Sequence, residues 1–126
     1  MTQHQATVLL VDDYPDTLEM WTLYLSAHGY SVSTASNGID GLAMARAEHP
    51  SLVILDLDLP GISGYEVARR LRHSDDTSGI PLIAATGYSA ARQLDDARNA
   101  GFDAILVKPC DPDGLVRTIE SVLYPH

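Results

Sequence analysis

Short apolar runs punctuate the chain, and the segments between them carry apolar residues at the three- and four-residue spacing of helices. Val8-Leu9-Leu10-Val11 and Leu52-Val53-Ile54-Leu55 are continuous rather than alternating, the pattern of strands buried on both faces. Ile80 to Ala85 and Ala104 to Val107 read similarly, and Tyr30 to Thr34 alternates weakly as a further strand. Strands followed one by one by helical segments predict parallel pairing through right-handed crossovers.

The helices carry their own start and stop signals. Pro15 suits the first helical position, Asp16 and Glu19 favour the positive end, Leu18, Trp21 and Leu25 share a face, and Gly29 supplies a stop. A second helix is expected from about Gly38 to His49, ending before Pro50 and weakened by two glycines. Pro60, Gly61 and Gly64 make a bent loop, after which Val67 and Leu71 mark a third helix ahead of the polar Ser74 to Gly79 connection. Thr86-Gly87 breaks the fourth strand's pattern, Ser89 can cap a fourth helix with Leu94 and Ala97 inside, and Gly101 suits its end. Asp111 as N-cap and Pro112 at the first position open a fifth helix that offers Leu115, Ile119, Val122 and Leu123 for burial.

The length, 126 residues, accommodates one sizeable core, so residues 1–126 are expected to form a single domain. Eight Lys and Arg against seventeen Asp and Glu give a net charge of −9, which opposes attraction to nucleic acid or anionic lipid. Cys110 is the one cysteine. It permits no internal disulfide and no multi-thiolate zinc site, which suits a reducing cytoplasm. The N-terminus lacks a signal-peptide pattern, and no apolar run approaches the roughly 20 residues needed to span a bilayer. A soluble, unprocessed protein without membrane or direct nucleic-acid contact is the expectation.

Two of the apolar runs end abruptly in acid: Val11 is followed by Asp12 and Asp13, and Leu55 by Asp56. Each acid should emerge at the carboxyl end of a parallel strand, the edge where open α/β sheets place their ligands. Carboxylates gathered there would repel one another unless a cation or protons intervened. The acids therefore predict a metal, and oxygen-only ligation points to Mg²⁺ or a similar hard ion such as Mn²⁺.

The strand ends together collect Asp12, Asp13, Asp56, Thr86 and Lys108-Pro109, with Asp56-Leu57-Asp58-Leu59-Pro60-Gly61 and Gly64 after the third strand. This set, in this order, resembles the receiver domain of bacterial two-component response regulators, and the resemblance covers nearly the whole chain. It implies a CheY-like, flavodoxin-like (βα)5 three-layer sandwich, an α/β fold with a five-stranded parallel sheet in the order 2-1-3-4-5. It also implies that Asp56 is the phosphoacceptor, that Asp13 and Asp12 form the acidic metal site with Asp13 the more direct ligand, and that Asp58 contributes a backbone carbonyl. Thr86 and Lys108 would contact the transferred phosphoryl oxygen, and the Lys108-Pro109 bond would be cis. The donor would be a phosphohistidine on a sensor histidine kinase or histidine phosphotransfer protein. A stand-alone receiver would then signal by docking a downstream protein on the face made by its fourth helix, fifth strand and fifth helix, by feeding a phosphorelay, by acting as a phosphate sink, or by forming a phosphorylation-linked homodimer.

The chemistry makes these residue types intelligible, because a carboxylate can attack phosphorus while Mg²⁺ and an ammonium neutralise the equatorial oxygens. Such a protein is not a turnover enzyme, although it assists its own phosphorylation and dephosphorylation. Two positions depart from the family pattern: Ile105 stands where many receivers carry an aromatic switch residue, and Asp58 with Tyr88 flanks the site unusually. Movement of the Thr86 to Ser89 loop, with Ile105 static, is the resulting expectation for the switch. Trp21 reads as core, Cys110 as an ordinary small residue, and the five histidines as surface residues. Competing readings are a haloacid dehalogenase-type phosphatase built on Asp56-Leu57-Asp58, a flavin-binding module, and a receiver that no longer accepts phosphate.

Overall fold

The computed structural model describes residues 6–87, 93–108 and 111–124. Five strands, β1 (Thr7–Val11), β2 (Ser31–Ala35), β3 (Leu52–Asp56), β4 (Leu82–Gly87) and β5 (Ala104–Lys108), form one sheet in the order β2-β1-β3-β4-β5. Every pairing is parallel. Between the strands run α1 (Pro15–Ala27), α2 (Gly38–Glu48), α3 (Gly64–His73) and α4 (Gln93–Ala100), and α5 (Pro112–Leu123) follows β5. This is the expected doubly wound architecture.

Strand periodicity divides the core into two slabs. Leu9, Val11, Val53, Leu55, Leu82 and Ala84 face a cluster with Leu42, Val67, Leu71 and Ala97 of α2, α3 and α4. Val8, Leu10, Leu52, Ile54 and Ile83 face the opposite way, onto Trp21 and Leu25 of α1 and Leu115 and Ile119 of α5. β1 and β3 are buried almost throughout, whereas the edge strands β2 and β5 are mixed. The continuous apolar runs thus mark the central strands.

Local signals behave largely as expected. Tyr14 caps α1 without a side-chain bond and Pro15 occupies its first turn, while Asp111 caps α5 by accepting from the Gly114 amide at 2.6 Å. Asn37 and Ser63 cap α2 and α3 in the same way. The strand boundaries need correction. β4 begins at Leu82, because Pro81 has no amide to donate and only its carbonyl accepts, from Val53 N. Thr86 and Gly87 do not break the strand: they pair with Val107 and Lys108, which also extends β5 to the lysine. β2 is shifted by one residue to Ser31–Ala35. Ser89, Cys110, the Lys108-Pro109 bond and the Leu94 side chain lie outside the described residues.

The glycines that weaken α2 on propensity have a packing role. A Cβ on Gly41 would lie 2.8 Å from Val11 Cγ2, and one on Gly38 would lie 2.5 Å from the Ile62 carbonyl oxygen. α2 therefore approaches β1 and the β3–α3 loop more closely than any other residue would allow. Among the described residues no helix is long and apolar enough to cross a membrane.

Candidate functional site

Register assembles the site. Val11 pairs with Leu55, so the next residues, Asp12 and Asp56, leave neighbouring strands side by side. Asp56 pairs with Ala85, which sets Thr86 one step further along the same edge, and Gly87 pairs with Lys108. Backbone bonds from Asp12 N to Ala35 O (3.1 Å) and from Leu57 N to Ala85 O (3.2 Å) hold the two acidic strand ends in place.

Carboxylate oxygens of Asp12, Asp13 and Asp56 all lie within 4.8 Å of one another. Asp12 and Asp56 are buried and Asp13 is exposed. Lys108 reaches in from β5, donating to Asp12 Oδ2 at 2.7 Å and standing 3.6 Å from Asp56 Oδ2. The second Asp56 oxygen accepts from the Asp58 amide at 3.1 Å. Burial pushes the Asp56 carboxyl above its ordinary value, against the Asp58 amide and the Lys108 charge, and Asp12 and Asp13 add to the rise. Burial by itself would lower Lys108, but the hydrogen bond and charge of Asp12, with those of Asp56, outweigh it and hold the ammonium above its usual range.

Three carboxylates facing one ammonium leave an excess of negative charge in a half-closed, all-oxygen setting. That donor set fits a hard divalent cation and suits no thiophilic one. The six residues singled out by the sequence thus share one strand edge. Asp12, Asp13, Asp56 and Lys108 are in mutual contact or near it, Asp58 touches Asp56 through its amide, and Thr86 is buried beside them at the end of β4.

Sequence reasoning registered Gly64 as part of a bent loop and of the family pattern, without a physical role. A Cβ there would collide with the Asp56 carbonyl oxygen and lie 2.9 Å from Leu57 Cα. Gly64 N also donates to Leu57 O at 3.1 Å. The first residue of α3 is thus pressed against the backbone that carries Asp56. The apolar wall beside the acids was also missed: Tyr14, Thr17, Met20 and Trp21 of the α1 end line the same cavity as Asp56 and Lys108. Trp21 had been assigned to the core, and it is buried there as well as edging this cavity. His28, His49 and His73 are exposed as expected.

Residues 8–120 match the response regulator receiver domain family. The chain belongs to this family. It is 37% identical over 118 residues to the protein PilH of Pseudomonas aeruginosa, covering 94% of this chain and 98% of that one. Among solved structures, the chemotaxis response regulator CheY4 of Vibrio cholerae superposes with a TM-score of 0.91 at 29% identity, over 95% of this chain and 100% of the other. The receiver domain of the sensor histidine kinase PA1611 of Pseudomonas aeruginosa, with a magnesium ion in its active-site cleft, gives 0.87 at 25% identity over 95% and 98%. Receiver domains are the phosphorylation-dependent switches of two-component signalling, and the chain is one of them. The phosphatase and flavin readings fall with that assignment.

Proposed function

We propose that Asp56 is the phosphoacceptor, that it takes a phosphoryl group from a phosphohistidine of a sensor kinase or histidine phosphotransfer protein, and that the modified state binds a downstream protein differently. The observation that carries the reading is the cluster itself: a buried carboxylate at a strand end, two further carboxylates within 4.8 Å, and a lysine ammonium at 3.6 Å. A nucleophile in such a place needs positioning and charge compensation more than added acid–base groups.

Asp12, Asp13, Asp56 and the Asp58 carbonyl would hold Mg²⁺ or Mn²⁺, which when bound supplies the positive charge that lets an anionic donor approach anionic carboxylates. The remaining work belongs to the chain. The Asp58 amide fixes one Asp56 oxygen and so leaves the other to attack. Lys108 offers its charge to the equatorial oxygens, and the Thr86 hydroxyl, one residue before the end of β4, would bond one of them. Because Lys108 is paired with Asp12 at 2.7 Å, an arriving phosphoryl group must compete for it. That exchange of partners couples phosphorylation to β5 and the helices beside it, since a ligand shifts an equilibrium only through differential contacts.

Residues 1–126 act as one receiver domain in the cytoplasm; the match to PilH over 94% of this chain and 98% of that protein supports the single-domain reading. A phosphorylation-linked homodimer is one form the output takes. Exposure to Mg²⁺ and a small acyl phosphate, followed by intact-mass measurement, should add one phosphoryl group to the wild type and none to Asp56→Asn or to wild type in excess chelator. Wild-type labelling of Asp56→Asn, or labelling indifferent to chelator, would overturn the assignment.

A further inference from the structure

The cavity at the carboxyl edge extends beyond the phosphorylation residues. Its volume is about 620 Å³, within the roughly 300–1,000 Å³ range of small-molecule sites. One wall is apolar, formed by Tyr14, Met20 and Trp21, while Asp13, Asp16 and Asp58 add negative charge around it. Tyr14 and Met20 are 68% and 64% exposed, so apolar surface faces solvent directly beside a buried nucleophile. A phosphoryl group is an anion served by cations and hydrogen-bond donors; it has no use for such a wall. The other half of a phosphodonor, its leaving group, does.

The Tyr14 backbone is held in place beside the acids. Its amide donates to Asp12 Oδ1 at 2.9 Å, and the following Pro15 confines it to extended backbone, observed at φ −92° and ψ 110°. The ring is thus carried on a fixed backbone tethered to an acid of the site.

We infer that Tyr14, Met20 and Trp21 form a leaving-group wall that favours donors releasing a flat aromatic ring, N-phosphorylated imidazole, over donors releasing a carboxylate. The inference rests on the phosphorylation reading above. In the transfer an Asp56 oxygen bonds to phosphorus and the P–N bond breaks, its electron pair staying on the ring nitrogen. A ring already protonated on its other nitrogen departs as neutral imidazole, and the protein need supply no proton. Before transfer that ring is cationic, which suits both the Tyr14 face and the surrounding carboxylates. Acetyl phosphate instead sheds acetate, an anion, into a cavity edged by the Asp16 and Asp58 carboxylates, neither of which is assigned to the metal.

The test uses the full chain in excess Mg²⁺ and compares initial labelling rates, by intact mass, with N-phosphoimidazole, acetyl phosphate and phosphoramidate. Phosphoramidate releases ammonia and so separates ring contact from charge. Wild type should favour phosphoimidazole over both. Tyr14→Ala should lower the imidazole-to-acetyl and imidazole-to-phosphoramidate ratios about fivefold, the scale of an exposed ring–cation contact, and Tyr14→Phe should preserve them. Met20→Ala, at an exposed position that tolerates truncation, should lower them in the same direction. Leu23→Ala, on the same helix and 67% exposed but outside the cavity lining, is the control with unchanged ratios. Equal losses for all three donors, or ratios unmoved by Tyr14→Ala and Met20→Ala, would overturn the wall while leaving Asp56 as acceptor. Wild type labelled by none of the donors would overturn the phosphorylation reading and the wall together.

Discussion

Replacing Gly64 by alanine tests how tightly the fold positions Asp56. The backbone at Gly64 is not in the left-handed region, so alanine suffers no conformational penalty there and the effect is steric. The new methyl would overlap the Asp56 carbonyl oxygen and approach Leu57 Cα to 2.9 Å and Asp56 C to 3.1 Å. Carbon contacts are comfortable at about 3.5–4.0 Å, so α3 and the Asp56-Leu57 backbone must part by roughly 1 Å. Backbone atoms cannot rotate aside, and overpacking of this kind costs about 1–3 kcal/mol. For a chain of this size that is a fall in Tm of roughly 4–12 °C, read by calorimetry. The same displacement moves the nucleophile, and a misplacement of about 1 Å is worth on the order of 100-fold in rate. Gly79→Ala is the control: a Cβ there meets nothing within 4 Å, and both Tm and labelling should stay at wild-type values. A Gly64→Ala protein that melts within 2 °C of wild type (roughly 0.5 kcal/mol) and labels at the same rate would refute the argument.

Other outcomes follow from the charges. Because burial raises the folded-state Asp56 carboxyl above its 3.8 reference, its ionised form opposes folding. Asp56→Asn should therefore be more stable than wild type at pH 7 without metal, and the difference should vanish as pH falls from the raised value to 3.8, as followed by urea unfolding across pH. Lys108→Met leaves Asp12 and Asp56 without their cation and should cost about 3 kcal/mol in metal-free urea unfolding. Added Mg²⁺ should recover part of that loss. Lys108→Ala should still accept phosphate but lose most phosphate-dependent partner binding or dimerisation, measured by titration calorimetry or sedimentation. Arg72→Met should destabilise by several kcal/mol and speed amide exchange around Gly101 to Asp103. Its guanidinium donates to the carbonyls of Ser78, Ile80 and Gly101 and to Asp103, all of which would lose a partner.

What could be read from sequence is what local pattern and order encode. Continuous runs such as Leu52 to Leu55 declared the central strands, and acids directly after two of them declared the ligand edge. Proline and glycine placed the helix ends at Pro15, Gly101 and Pro112. What escaped depends on approach between distant segments. Gly38 and Gly41 look like helix breakers until Ile62 and Val11 are seen against them. Arg72 reads as one of three arginines on a helix, and its role exists only because the turn at Gly101 comes to it from 29 residues away. Tyr14 drew no notice in the sequence, since exposure beside a cavity has no periodic signature. The end of β4 was misplaced because Gly87 is poor strand material and reads as a breaker, and pairing of Thr86 and Gly87 with Val107 and Lys108 overrides that preference.

The central claim is that one carboxylate among several takes the phosphoryl group. Borohydride reduction of the phosphorylated chain converts an aspartyl phosphate to homoserine, and peptide mass mapping then reports its position. The account predicts homoserine at position 56 alone, dependent on Mg²⁺. Homoserine at Asp12, Asp13 or Asp58 in place of Asp56 would contradict it.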